Sequence, residues 1–476
     1  MSMESAPRSE MRAADTRLLQ KQGRRPQGLT RLERPEANMA LESVERKLAG
    51  RWGETTLEPS LNRISALMAL LGHPERSYPS IHITGTNGKT STARLIEVLL
   101  AAFGLRTGRY TSPHIQSVTE RISVDGVPLS AERFVKAYED VEPHADMVDS
   151  GQEHRLSFFE MLTGMAYAVF ADAPVDVAVV EVGMGGGWDA TNVIDGDVAV
   201  FTPIDLDHTD RLGSTTAEIA REKSGIMKQN ASVVVAQQPV DAAHVLLRKA
   251  VEMNATAARE GLEFGVASRQ VLVDGQLLTL RGLGGDYPDV HLPLHGVHQA
   301  HNAAVALAAV EAFFGIGVRR TGPLDLDTVR TAFASVTSPG RLEVVSQNPQ
   351  VVLDAAHNPA GARAAAAAVR ESFAFGQLIG VVGASSDKDV RGLLEAFESQ
   401  FAEIVVTQNS SERAMGVHEL ASVAAEVFGK HRVRVEPRLP EAVETAIKLA
   451  GQVGAGVLIT GSVMTVGEAR LLLAHG

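Results

Sequence analysis

The 476-residue chain contains no cysteine. Disulfides, a thiolate nucleophile and cysteine-bound zinc are therefore excluded at the outset. No apolar run approaches the roughly 18 residues that a membrane span requires, and no signal peptide is recognisable. A basic, aromatic-rich stretch is also missing, and the net charge is −12. Neither nucleic acid nor a membrane is thus expected as a partner. What remains is an enzyme of the cytoplasm, long enough for two or three domains with real cores.

The first segment differs from the rest. Residues 1–38 are polar and Arg-rich without sustained periodicity, which predicts a disordered tail. Glu4, Glu10, Asp15, Glu33 and Glu36 among the arginines argue against a transit peptide. Beyond it strand and helix patterns alternate. Strands are expected at Ile81–Thr84, Asp176–Val182, Val198–Thr202 and Ser232–Ala236, with helices such as Leu156–Phe170 and Thr216–Met227 between them. Such alternation predicts an α/β fold with a mainly parallel sheet. A β-rich patch over Leu262–Pro293 precedes a helix from about Gln299 to Phe314. The Ser-Val-Thr-Ser-Pro-Gly run at 335–340 marks a boundary, after which five βα units predict a smaller, Rossmann-like doubly wound domain. The expected division is a tail at 1–38, a nucleotide-binding domain at 39–336 and a C-terminal domain at 337–476.

The most informative segment is Gly85-Thr86-Asn87-Gly88-Lys89-Thr90-Ser91, between a β-branched strand and a helix. Glycines let the backbone curl so that N–H groups converge on an anion. The helix N-terminus and Lys89 add positive charge, and Thr90 or Ser91 can offer a hydroxyl to Mg²⁺. This predicts a nucleoside triphosphate site. The eight-residue phosphate-loop pattern asks for Gly at 83, where the chain has Ile83, so the loop is a compact variant.

Ligand groups in such sheets collect at the carboxyl ends of strands. One strand delivers Glu181 and then Gly183-Met184-Gly185-Gly186-Gly187-Trp188-Asp189-Ala190. A carboxylate there either meets a bound cation or is structurally paired. A dinucleotide fingerprint fails because Trp188 stands where it needs glycine. The next strand ends in Asp205-Leu206-Asp207-His208-Thr209-Asp210, and Ser112 lies in Tyr110-Thr111-Ser112-Pro113-His114. Taken singly, His208 reads more readily as a surface or satisfied core imidazole, and Ser112 as turn chemistry. Together with the phosphate loop they supply an oxygen, a carboxylate and an imidazole suited to ATP–Mg²⁺.

These motifs, with Thr119-Glu120-Arg121, Arg221–Ile226, His298–Asn302, Pro339–Glu343 and Asp354–Pro359, resemble the folylpolyglutamate synthase/dihydrofolate synthase family. That family lies in the Mur ligase superfamily of ATP-dependent amide-forming ligases, and the actinobacterial type is the most similar. The resemblance implies that residues 85–91, Asn302, Arg341 and Asp354 contact ATP, and that Ser112, Glu181 and His208 ligate Mg²⁺. It implies a carbamate on Lys223, which the residues alone read as a solvated helix lysine. Lys89, His208, Asp354 and His357 are the implied catalytic residues. Glu58, Pro59, Ser60, Leu61, Ser157, Phe158, Phe159, Glu160, Trp188, Asp189 and Ala190 are the implied pterin-substrate contacts, with Ser462 near the incoming glutamate. The implied reaction adds L-glutamate to dihydropteroate or a tetrahydrofolate through an acyl phosphate, in a monomer. One departure stands out: Gly187 occupies a position where relatives usually carry arginine. A peptidoglycan-precursor ligase, a simple ATPase and a non-catalytic nucleotide-binding regulator are the rival readings.

Overall fold

A computed structural model describes residues 35–52 and 60–474. A helix begins at Pro35 and runs to Ala49, so the first four of these residues are helical where the sequence reads as tail. Among the described residues no helix is long and apolar enough to cross a membrane.

The first lobe is built on an eight-stranded sheet. Its strands are β1 (Ser80–Thr84), β2 (Thr107–Tyr110), β3 (Ile122–Val124), β4 (Val127–Pro128), β5 (Val177–Glu181), β6 (Val198–Phe201), β7 (Ser232–Val235) and β8 (Thr256–Arg259). Their spatial order is β4-β3-β2-β5-β1-β6-β7-β8. The six from β2 to β8 are mutually parallel, while β3 and β4 form an antiparallel edge absent from the sequence reading. Both are very short, too short to carry a periodic signal. β1 and β5 are buried at every residue, which explains their near-continuous β-branched runs. From β1 the chain moves outward to β2, returns to β5, and then crosses to β6 on the opposite flank. The strand order therefore reverses at β1, and a crevice opens at the carboxyl ends of β1, β5 and β6.

A three-stranded antiparallel sheet, β9 (Gly265–Leu272), β10 (Gly275–Arg281) and β11 (Asp286–Leu292), follows as the β-rich patch implied. Its Leu278, Leu280 and Val290 join the core around the helix Val297–Phe313. That helix is buried on nearly all sides, and its alanines let neighbours approach closely.

The second lobe is a six-stranded sheet of β12 (Arg341–Gln347), β13 (Gln350–Asp354), β14 (Leu378–Val382), β15 (Phe401–Gln408), β16 (Val433–Arg438) and β17 (Gly456–Thr460). The order is β12-β13-β17-β14-β15-β16, all parallel except β12. The five-unit reading missed β12. It pairs antiparallel with β13 and carries two register shifts, so its hydrophobic alternation is broken. The pairing sets Arg341 opposite Asp354.

Candidate active site

The crevice at the strand reversal is walled by the phosphate loop. Gly85 has φ +150, and a Cβ there would lie 1.9 Å from Thr202 Oγ1. Gly88 has φ +88, and its Cβ would lie 2.6 Å from Asn302 Oδ1. Both positions demand glycine for conformation and for space. The N–H groups of Thr86 and Asn87 donate to the Pro203 carbonyl, and Thr86 Oγ1 donates to the Asp205 carbonyl at 2.9 Å. The helix Lys89–Ala102 starts at Gly88 with no side-chain cap, leaving its N-terminus to an anion. Lys89 Nζ curls back onto the carbonyls of Gly85 (3.1 Å) and Thr86 (3.3 Å).

Glu181 ends β5 with 1% exposure. Thr90 Oγ1 donates to its two carboxylate oxygens at 2.9 and 3.0 Å, and the Ser112 N–H reaches Oε2 at 3.3 Å. Burial pushes this carboxyl above its usual range, opposed by Lys89 and the Thr90 hydrogen bond. Ser91 faces the other way, buried against Gln299, so Thr90 is the loop hydroxyl that shares the crevice. An anionic carboxylate among neutral oxygen donors suits a hard divalent cation. Among the described residues no three His, Asp or Glu side chains converge as a preformed metal cluster.

Lys223 is the clearest correction to the sequence reading. It is 4% exposed, not solvated, because the helix Thr216–Lys223 ends against the phosphate loop. Its Nζ donates to the Gly85 carbonyl at 3.0 Å. Burial, reinforced by Lys89, lowers its pKa to about 7. A buried amine that sheds its proton near neutrality is nucleophilic.

His208 follows β6 in a left-handed conformation, φ +50. Burial, together with Lys388 and Lys89, lowers its pKa to about 4 against the opposing pull of Asp207. Lys388 comes from the second lobe, just after β14. It donates to Asp207 Oδ1 at 2.7 Å and to His208 Nε2 at 3.2 Å. Burial alone would raise Asp207, but the Lys388 ammonium holds it well below the carboxylate range. Asn358 Nδ2 crosses the same gap to Asp207 Oδ2 (3.3 Å) and Asn87 Oδ1 (3.1 Å). Asn358 also caps the helix Pro359–Ser372 through Oδ1.

The other second-lobe residues lie around the same gap. Asp354 receives the N–H groups of Leu342 and Ala356, both at 3.0 Å. Burial raises its carboxyl, opposed by Arg341. His357 Nδ1 meets the Ala355 carbonyl at 3.1 Å, and burial with Lys388 lowers its pKa to about 4. A small cavity at the lobe junction is lined by Thr90, Arg94, His114, Ser338 and Arg341. Ser462 is 3% exposed, its hydroxyl engaged by Asn409 and the Met464 and Thr465 N–H groups, between Gly461, which donates to the Ala356 carbonyl, and Val463, which lines the same cavity.

Glu58 and Pro59 fall outside the described residues. Ser60 caps the helix Leu61–Leu70 by accepting the Asn62 N–H. Ser157 and Glu160 form a capping box for the helix Phe158–Asp172, and both Glu160 oxygens take Arg63 Nε at 3.1 Å. Asp189 accepts the N–H groups of Met184 and Thr191 and the Thr191 hydroxyl. Ser157, Glu160 and Asp189 thus also hold the scaffold through their polar atoms. Phe158 is half-buried under the Arg121 guanidinium, which lies 5.0 Å from its ring centroid, and Trp188 is half-buried. Phe159 and Ala190 are buried. Gly187 has no left-handed φ, and a Cβ there would meet Glu222 Oε1 at 3.2 Å.

Sequence reasoning missed Lys388 and Asn358 as site groups. Lys388 follows a strand end in Gly383-Ala-Ser-Ser-Asp-Lys, where the carboxyl-end rule applies, so a signal existed.

A phosphate loop in one lobe, faced by polar residues of a second, defines a two-lobed nucleotide-binding enzyme, and the domain matches make it one of the Mur ligase type. Residues 83–310 match the Mur ligase middle domain, and residues 340–463 match the Mur ligase glutamate ligase domain. The dihydrofolate synthase/folylpolyglutamate synthase of Mycobacterium tuberculosis is 51% identical over 466 residues, covering 93% of this chain and 95% of the relative. The Escherichia coli protein of the same name is 34% identical over 72% of this chain and 76% of its own length. Crystal structures of the M. tuberculosis folylpolyglutamate synthase complexed with ADP and AMPPCP superpose with a TM-score of 0.88, covering 92% of this chain and 99% of that one. E. coli FolC in complex with DHPP and ADP superposes at 0.80 with 30% identity, over 93% and 99%. The chain belongs to the dihydrofolate synthase/folylpolyglutamate synthase family.

Proposed function

We propose that this protein is an ATP-dependent ligase that adds L-glutamate to dihydropteroate or to a reduced folate, releasing ADP and phosphate. The observation that carries the reading is the convergence of Lys89, Lys223, Glu181 and His208 around one glycine loop at the strand reversal. The ADP- and DHPP-bound relatives support it.

The chemistry starts from an unreactive carboxylate. The substrate carboxylate oxygen attacks the γ-phosphorus of ATP, the bond to the β,γ-bridging oxygen breaks, and an acyl phosphate forms with ADP. Lys89 leaves the loop carbonyls and neutralises charge on the moving phosphoryl group, as the free N–H groups of the helix N-terminus do. Ser112, Glu181 and His208 would hold Mg²⁺, which would supply charge neutralisation for the transferring phosphoryl group. Lys223, whose pKa burial lowers to about 7, would in its neutral form add CO₂ and lose a proton, becoming a carbamate anion for a second cation. Arg341 and Asp354, paired across β12 and β13, serve the nucleotide from the second lobe. The glutamate amine then attacks the acyl carbon, phosphate leaves, and the amine proton is lost to solvent or to a nearby base such as neutral His357. Closure of the second lobe keeps water from the acyl phosphate. The chain is expected to act as a monomer.

The test offers dihydropteroate and tetrahydrofolate separately, with ATP, Mg²⁺ and L-glutamate, and reads products by mass spectrometry. A gain of one or more glutamyl residues on either acceptor supports the reading. ADP release without either acceptor would favour a simple ATPase.

A further inference from the structure

The Lys388 ammonium stands where a cation is wanted. It joins the two lobes by donating to Asp207 Oδ1 at 2.7 Å and His208 Nε2 at 3.2 Å, and both Lys388 and Asp207 side chains are only 12% exposed. An ammonium has donors only, so Nε2 must accept, and a neutral imidazole has a single acceptor nitrogen. A metal ion binds neutral imidazole through that same kind of lone pair. One lone pair cannot serve both. A divalent ion at Nε2 would also face a unit positive charge a few ångströms away in a poorly solvated gap.

We propose that Lys388 is a built-in placeholder for the divalent cation. Without metal it bridges Asp207 and His208 and draws the second lobe onto the phosphate loop. Loading metal at His208 requires the Lys388–His208 bond to break. Binding of the cation and engagement of Lys388 are thus coupled with opposite sign, and each weakens the other by the same factor. The inference rests on the reading of His208 as a metal ligand. Asn358, bonded to Asn87 and Asp207, and the Arg269–Glu371 and Arg470–Gln116 pairs also tie the lobes, so freeing Lys388 need not part them completely.

The test measures Mn²⁺ binding to the full chain without nucleotide, by electron paramagnetic resonance of the free ion, in wild type, K388M, K388Q and H208A. Losing a charge-assisted hydrogen bond that metal must otherwise displace should tighten Mn²⁺ binding about tenfold in K388M and K388Q. A second readout uses the absence of cysteine. Dyes on Val240→Cys and Val453→Cys, 69% and 59% exposed on different lobes, report lobe separation. Metal-free K388M should show a longer or broader distance distribution than wild type, and Mn²⁺ should shift wild type toward it. Unchanged Mn²⁺ affinity in both Lys388 variants, with H208A weakened, overturns the placeholder and leaves the metal reading standing. Unchanged Mn²⁺ affinity in H208A defeats the metal assignment itself, and the inference with it.

Discussion

The two walls of the site are built differently. The phosphate loop is fixed within its own lobe: Gly85 and Gly88 are wedged against Thr202 and Asn302, and Thr86 is tied to Pro203 and Asp205. The facing wall reaches over on long or polar side chains, Lys388 and Asn358 at the site and the Arg269–Glu371 and Arg470–Gln116 pairs beyond it. The hinge side shows a matching contrast. Gly340 and Leu342 both carry left-handed backbone angles, φ +65 and +50, where β12 begins. A left-handed leucine is costly and persists only where its surroundings over-determine it; here its N–H is held by Asp354. A preorganised wall can bind phosphates without reorganisation, while a wall held by a handful of polar contacts can open for substrate and close for chemistry.

The sharpest way to break this comparison is at the rigid wall. Lys89→Ala should leave thermal unfolding almost unchanged, because Lys89 bonds only to carbonyls of its own loop. It should lower the ligation rate by at least about 100-fold through lost charge stabilisation. Near wild-type turnover would remove the loop from the chemistry.

Lys223→Ala should lower ligation by about 10–100-fold, the range seen when groups supporting a metal site are removed. Added bicarbonate or a short carboxylic acid should restore part of the rate if the lysine acts as a carbamate. Normal activity without additives would return Lys223 to a purely structural amine holding the Gly85 carbonyl.

A smaller effect concerns the scaffold beneath the loop. His82 on β1 is fully buried, and burial followed by Lys228 lowers its pKa to about 3. Thr191 gives its hydroxyl proton to Asp189, so His82 Nε2 donates to the Thr191 oxygen at 2.9 Å and the ring stays neutral. The unfolded chain binds this proton near pH 6.5 and the native state only near 3. Stability should therefore fall as pH drops through 6.5 toward 3. Denaturant midpoints followed over that range should decline less steeply in His82→Gln; equal slopes would show that other groups carry the acid sensitivity.

The smallest expected change is at Gly187. The backbone accepts a side chain there, and only the flexible Glu222 carboxylate crowds it. Glu222 also receives the Trp188 N–H at 3.2 Å, so an introduced guanidinium has a carboxylate beside it. Gly187→Arg should fold normally. It should raise kcat/KM by up to about tenfold if the fork reaches substrate, and leave it unchanged if Glu222 captures it. Loss of folding would mean that the close packing of Gly225 on Gly187 tolerates nothing more.

How much could be read in advance follows the same division. The phosphate loop, Glu181 and the strands β1, β5, β6 and β7 were legible because each is a local pattern of apolar run, glycine turn and helix start. The antiparallel additions β3, β4 and β12 were not, being short or broken in register. Burial of Lys223 was invisible because it depends on which element a helix end meets, and no periodicity encodes that. Lys388 and Asn358 lie 180 and 271 residues from the partners they touch, His208 and Asn87. The bonds of Glu160 to Arg63 and of Asp189 to Thr191 were likewise unmarked by any local pattern.

The central claim is that this two-walled crevice passes a phosphoryl group to a substrate carboxylate before glutamate arrives. Dihydropteroate carrying heavy oxygen in its carboxylate, turned over with ATP and L-glutamate, tests it most directly. The account predicts one heavy-oxygen atom in each phosphate released, because the acyl phosphate breaks at its acyl carbon. Phosphate free of label at full turnover would contradict it.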